Sequence, residues 1–90
     1  MRKIKIAGQF EKDVKRIGKR SYEMKKLSVV ISALANDIPL EARHRDHSLK
    51  GNYIGFRECH LAPDWLLIYR LSGDDILELA RTGSHSDLFN

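Results

Sequence analysis

The sequence predicts an α+β fold in which a helical hairpin packs on a small, mainly antiparallel sheet. Three observations predict it. Apolar residues recur at helical spacing from Phe10 to Leu34. Three apolar segments joined by turn chemistry fill residues 54–81. Helices come first and a meander comes last, an order that segregates the helices to one face of a sheet. Ninety residues make one domain, 1–90, with one modest core.

Lys3-Ile4-Lys5-Ile6 alternates as a short strand does. Phe10, Val14 and Ile17 follow at i, i+4 and i+7, the stripe of a first helix, which Gly18 and Lys19-Arg20 end. Ser21 is placed to cap a second helix whose inner face carries Met24, Leu27, Val30, Ile31 and Leu34. Asn36-Asp37-Ile38-Pro39 stops it. Residues 41–53 read as a polar, histidine-containing loop. Strands are expected at Ile54–Leu61, Trp65–Leu71 and Ile76–Arg81, parted by Ala62-Pro63-Asp64 and Ser72-Gly73-Asp74-Asp75. The order is β-α-α-β-β-β, and a helical hairpin on one face leaves the other open.

Composition narrows the function classes. With 42% hydrophobic residues the chain has enough apolar surface to fold. Its longest apolar run, Trp65 to Tyr69, is far short of the ~20 residues that span a bilayer. The basic start MRKIKIAGQF has no apolar leader stretch, and Cys59 is the only cysteine, so no internal disulfide is expected and the cytoplasm is the expected compartment. The net charge of +4 is uneven. Residues 1–50 hold 13 Lys and Arg against 6 Asp and Glu, and residues 51–90 hold 3 against 6. A basic half suits an anionic partner such as nucleic acid, with Lys15, Arg16, Lys19 and Arg20 as expected phosphate contacts. A solvated helix surface explains the same charges.

The fold leaves four histidines unexplained. His60 closes the first meander strand, and Asp64 and Trp65 open the second. His85 follows the third, whose end lies beside the start of the second if the two pair antiparallel. His47 lies in the loop that enters the sheet. Three imidazoles and a carboxylate thus gather at one end of the sheet from four segments, as acid–base chemistry requires. Three chemistries compete for them. Zinc could be bound by His44, His47, His60, His85 and Asp64, although no tight Cys/His pairing supports it. Cys59 could be a nucleophile beside His60, but adjacent strand residues face opposite ways, which puts the thiol in the core. The third is RNA phosphodiester cleavage, in which a 2′-hydroxyl attacks, a base and an acid move protons, and Lys50, Arg57 and Arg81 steady the phosphorane.

"DHSLKGNYIGFRECHLAPDWLLIYRL" followed by "RTGSHSDLF" resembles the YafQ-type toxins of the RelE superfamily, most densely over Asp46–Phe89. The resemblance implies a microbial-ribonuclease-like, RelE-type fold. It implies the toxin of a type II toxin–antitoxin module, a metal-independent, cofactor-free endoribonuclease that cuts mRNA in the ribosomal A site. At the matching positions the catalytic set is His47, His60, Asp64 and His85, with Trp65 and Phe89 in the same cluster. On that reading His85 is the proton-transfer group nearest the scissile phosphate, Lys50, Arg57 and Arg81 hold phosphate, and Trp65 and Phe89 stack or wedge bases. The implied partners are a cognate antitoxin, mRNA, the ribosome and, only through the antitoxin complex, operator DNA. No membrane partner is expected. The competing class is a non-catalytic nucleic-acid-binding regulator acting with a partner protein. It would use the basic helices and have no need of His85.

Overall fold

The computed structural model describes residues 1–89. β1 (Lys3–Ile6) leads into α1 (Gly8–Ile17) and α2 (Met24–Ala35). After them come β2 (His47–Ser48), β3 (Arg57–Ala62), β4 (Trp65–Ser72), β5 (Ile76–Gly83) and α3 (His85–Phe89). One sheet runs in the order β1-β5-β4-β3-β2. β1 is parallel to β5, and the other pairs are antiparallel. The α+β class and the mainly antiparallel sheet agree with the sequence reading.

The helical stripes do what their spacing implies. Phe10 and Ile17 of α1 and Leu27, Val30 and Leu34 of α2 pack on Cys59, Leu61, Trp65, Leu67, Tyr69, Leu77 and Leu79 of the sheet. Ser21 does not cap α2. The helix starts at Met24 behind Glu23, with no side-chain cap bond. A cap contributes ~1 kcal/mol, whereas burying one large apolar side chain stabilises by ~1.5–3 kcal/mol. The stripe of α2 therefore outweighs the missing cap. Asp37, at φ 56°, turns the chain away after Asn36.

Three local differences from the sequence reading shape the site. β3 begins at Arg57 rather than Ile54, because Gly55 (φ 90°) and the 3₁₀ turn Gly51–Tyr53 bend the preceding chain. The polar loop contains β2, which pairs His47 with Glu58 and Ser48 with Arg57. The chain after β5 is not a simple tail but the one-turn helix α3. As a result the second sheet face is not open. Leu66 and Ile68 of β4 are fully buried there under Leu49, Tyr53, Phe56 and Leu88. The run Trp65-Leu66-Leu67-Ile68-Tyr69 is apolar at every position, which is the pattern of a strand covered on both faces.

Asp13 on α1 is fully buried. β1 stops pairing with β5 at Leu79, so the N–H groups farther along β5 lose their strand partner. The Asp13 carboxylate takes the place of that strand. It accepts from the Thr82 N–H at 3.1 Å and from Arg81 Nε and Nη2 at 2.7 and 3.1 Å. Gln9 and Arg16 add bonds at 3.3 and 2.8 Å. Burial pushes this carboxyl up, but the bonds to Arg81, Thr82 and Gln9 prevail and hold it below the usual range. Arg16 is therefore engaged with Asp13, and Arg20 is engaged with Asp87. Half of the four-residue basic face expected to grip phosphate is instead tied into the fold.

Candidate active site

Side chains alternate along β3. Arg57, Cys59 and Leu61 face the helices, and Glu58 and His60 face the other way. β2 lies against β3 and sets His47 beside Glu58. The end of β5 pairs Gly83 with Leu66, which brings α3 over the β3–β4 turn. His47, His60 and His85 thus form a row, with ring centroids 6.3 Å and 6.1 Å apart. Phe89 continues it at 6.3 Å from His85, half-exposed and edge-on to Tyr53.

Each imidazole has a distinct partner. Asp64 Oδ1 lies 2.8 Å from His85 Nδ1 and accepts the His85 backbone N–H at 3.0 Å. Those bonds hold the Asp64 carboxyl below its usual range. An ionised carboxylate only accepts, so Nδ1 carries the proton and Nε2 faces outward. His47 Nδ1 donates to the Arg45 carbonyl at 2.7 Å, which turns its Nε2 toward Glu58 at 3.8 Å. His60 Nε2 is 3.5 Å from the same Glu58 oxygen. Burial pushes the His60 imidazole below the usual histidine range. Glu58 opposes this, and Arg45, His85 and His47 add to it.

Two residues acquire roles that the sequence left open. Glu58, only 5% exposed, sits between two imidazoles that its carboxylate can orient or stabilise when charged. The signal was available, because Glu58 lies two residues before His60 and shares its face. His44 donates from Nδ1 to the His60 carbonyl at 2.7 Å and so braces the outer edge of β3.

Three expected site residues lie elsewhere. Trp65 does not offer its ring to a base. It is 3% exposed on the helix side, edge-on to Tyr22 at 4.9 Å, with Nε1 donating to Thr82 Oγ1 at 2.9 Å. Arg57 faces away from His60 and donates to Asp46 at 3.2 Å, beside the Tyr69 hydroxyl bond to the same oxygen. Arg81 is held by Asp13 through two bonds. Lys50 remains exposed at the head of the Gly51–Tyr53 turn. Cys59 is a core residue whose thiol is pushed up to about 12 by burial first, then by Asp46 and Glu58, so it is no nucleophile. Among the described residues no group of three or more His, Cys, Asp or Glu side chains is arranged to hold a metal ion.

A groove of about 690 Å³ lies between α2 and β3, with His60 among its lining residues. Val29 and Leu61 line it together with the cations Lys25, Lys26, Arg43 and Arg45 and the acid Glu23. Among the described residues no helix is long and apolar enough to cross a membrane.

A family model described as a bacterial toxin of type II toxin–antitoxin systems, YafQ, matches residues 2–90. The chain is 45% identical to the mRNA interferase toxin YafQ of Escherichia coli K12 over 89 residues, covering 98% of this chain and 96% of that protein. Its fold is similar to a crystal structure of an E. coli DinJ–YafQ complex, with TM-score 0.91, 44% identity and full coverage of both chains. It is equally similar to a metal-bound toxin from Helicobacter pylori, with TM-score 0.91 and 43% identity over 99% of this chain and all of that one.

Proposed function

The chain belongs to the YafQ toxin family of type II toxin–antitoxin systems and is an endoribonuclease, and we propose that it cuts mRNA in the ribosomal A site by 2′-hydroxyl attack without a metal. The observation that carries this reading is the row of three imidazoles on one sheet face, with Asp64 fixing the tautomer of His85. His60, whose neutral form burial favours, suits the base, with His47 and the shared Glu58 beside it. The base takes the 2′-hydroxyl proton as the O2′–P bond forms. His85, held through Nδ1 by Asp64, suits the acid that protonates O5′ as the P–O5′ bond breaks. The products are a 2′,3′-cyclic phosphate and a 5′-hydroxyl. Of the three cations expected to hold phosphate, Lys50 is the one not tied to a carboxylate, and Phe89 is the exposed ring left to stack on a base. On this reading His47, His60, Asp64 and His85 are the catalytic set, and Glu58 joins them.

The cognate antitoxin is the protein partner, by likeness to the DinJ–YafQ complex. Operator DNA is reached only through that complex. Expression of the toxin alone should stop translation within minutes and leave cut messages, and co-expression of the antitoxin should prevent both. Cleavage of a short free RNA, if the ribosome can be dispensed with, should persist in excess EDTA. Activity that needs added zinc or copper would overturn the metal-free mechanism.

The groove offers the anionic strand a path to His60 that the α1 face does not. Replacing Lys25, Lys26 and Arg43 with glutamine should weaken binding to programmed ribosomes and leave the rate at saturation unchanged. For a single strand each phosphate contact adds about 0.7 to the log–log salt slope, so the slope should flatten by about 2. An unaltered slope in a filter-binding titration would remove the groove from the RNA path.

A further inference from the structure

We propose that Arg20, in the turn between α1 and α2, is a positioning residue that sets His85 in the reacting row. The inference rests on the reading of His85 as a proton-transfer group. α3 has five residues, too few to stand as a helix by itself, so its tethers decide where His85 sits. One tether is Asp64. The other is Asp87, two residues past His85.

Asp87 is gripped from two sides. Its backbone N–H donates to Ser84 Oγ at 3.1 Å, and its carboxylate accepts the Ser84 N–H at 2.9 Å, which makes a reciprocal capping box. Arg20 then closes on the same carboxylate, Nη1 to Oδ2 at 2.8 Å and Nη2 to Oδ1 at 3.2 Å. Such a fork fixes direction as well as distance. Those Arg20 bonds, first among the causes, hold the Asp87 carboxyl well below the usual carboxylate range. Gly83 leaves room for the arrangement, since a Cβ there would meet Asp87 Oδ2 at 2.9 Å and Asp87 Cβ at 3.0 Å.

The same turn also reaches the Asp64 tether. Arg20 Nη1 donates to the Tyr22 hydroxyl at 3.4 Å, and Tyr22 packs edge-on against Trp65 at 4.9 Å. Trp65 follows Asp64 and is anchored to Thr82. Arg20 and Tyr22 together therefore fix both ends of the His85–Asp64 pair. This gives the buried Trp65 a place in the active site without contact with RNA.

A single ion pair whose arginine is partly exposed adds little to global stability, so the effect should fall on rate. The test compares Arg20→Ala, Arg20→Lys, Asp87→Asn and the exchanged pair Arg20→Asp with Asp87→Arg in single-turnover cleavage. A misplacement of about 1 Å can cost on the order of 10²-fold, and partial loosening should cost at least about tenfold. Arg20→Ala and Asp87→Asn should lose that factor in the rate at saturation and keep the half-saturating concentration within about twofold. Lysine and the exchanged pair should each restore part of the rate. The His85 ring-proton NMR signals should move in Arg20→Ala, while the melting temperature falls by no more than about 5 °C. Should Arg20→Ala fail to fold, the isosteric Asp87→Asn decides alone. An unchanged rate, unmoved His85 signals, or a loss confined to half-saturation would overturn the proposal, the last marking Arg20 as an RNA contact. His85→Ala, run alongside, separates the two readings. If it cleaves normally, the role of His85 itself fails. If it is inactive beside a normal Arg20→Ala, only the positioning role fails.

Discussion

His85→Ala is expected to slow single-turnover cleavage at least a hundredfold and to relieve growth arrest. A positioned proton donor contributes about 10²–10⁴-fold to rate. The substitution takes an imidazole from the surface and removes nothing from either apolar core. The backbone N–H of residue 85 still reaches Asp64, and the Ser84–Asp87 box still forms, so α3 should stay in place. Loss of activity would then report chemistry rather than unfolding. If His47 and His60 act as one unit with His85, double variants should be scarcely slower than His85→Ala alone, because catalytic groups acting together are strongly non-additive. The acid limb of the wild-type pH–rate profile should lie below the ordinary histidine range, since burial favours neutral His60. The sign follows from its role. A lowered base loses its proton sooner as pH rises, so activity survives to lower pH. Growth arrest by the His85→Ala protein at wild-type levels would refute the assignment.

A substrate with a 2′-deoxynucleotide on the 5′ side of the scissile phosphate should bind normally and not be cut at that linkage. The reaction assigned to the row has one nucleophile, and the substitution deletes it. Cys59, the only thiol, is buried on the opposite sheet face. The matching product test is a 2′,3′-cyclic phosphate end, read by its resistance to phosphatase until acid opens the ring. Cleavage of the deoxy substrate at full speed would make water or a side chain the attacking group, and the roles of His47, His60, Asp64 and His85 would be withdrawn.

Much of this site was legible because period-2 strands and tight turns have geometric consequences. His60, Asp64 and His85 had to meet once β3, β4 and β5 formed a meander, and they do. Cys59 had to face the core once His60 faced the other way. The errors have physical causes too. Arg57 and Arg81 were read as free cations, yet the fold holds partners for them, Asp46 and Asp13, at sequence separations of 11 and 68 that no local pattern reveals. Trp65 was read as a base platform from the family resemblance, but the continuous apolar run it opens marks β4 as buried on both faces. The same run carried the signal of the second core, which the expectation of an open face passed over. Glu58 was overlooked because a lone glutamate reads as solvated charge until β2 is known to pair with β3.

The Asp13 clamp sets the order in which this molecule comes into being. Its bonds to Arg81 and Thr82 join residues 68 and 69 positions apart, and β1 reaches β5 across a comparable stretch. Closing so long a loop carries an entropic cost that contacts repay only once they form, so such joins are late events in folding. The Arg20–Asp87 fork, 67 positions apart, belongs with them. The helices and the β3–β5 hairpins, made of near neighbours, come earlier. The last joins to close are therefore those that hold α1 against β5 and the α1–α2 turn against α3.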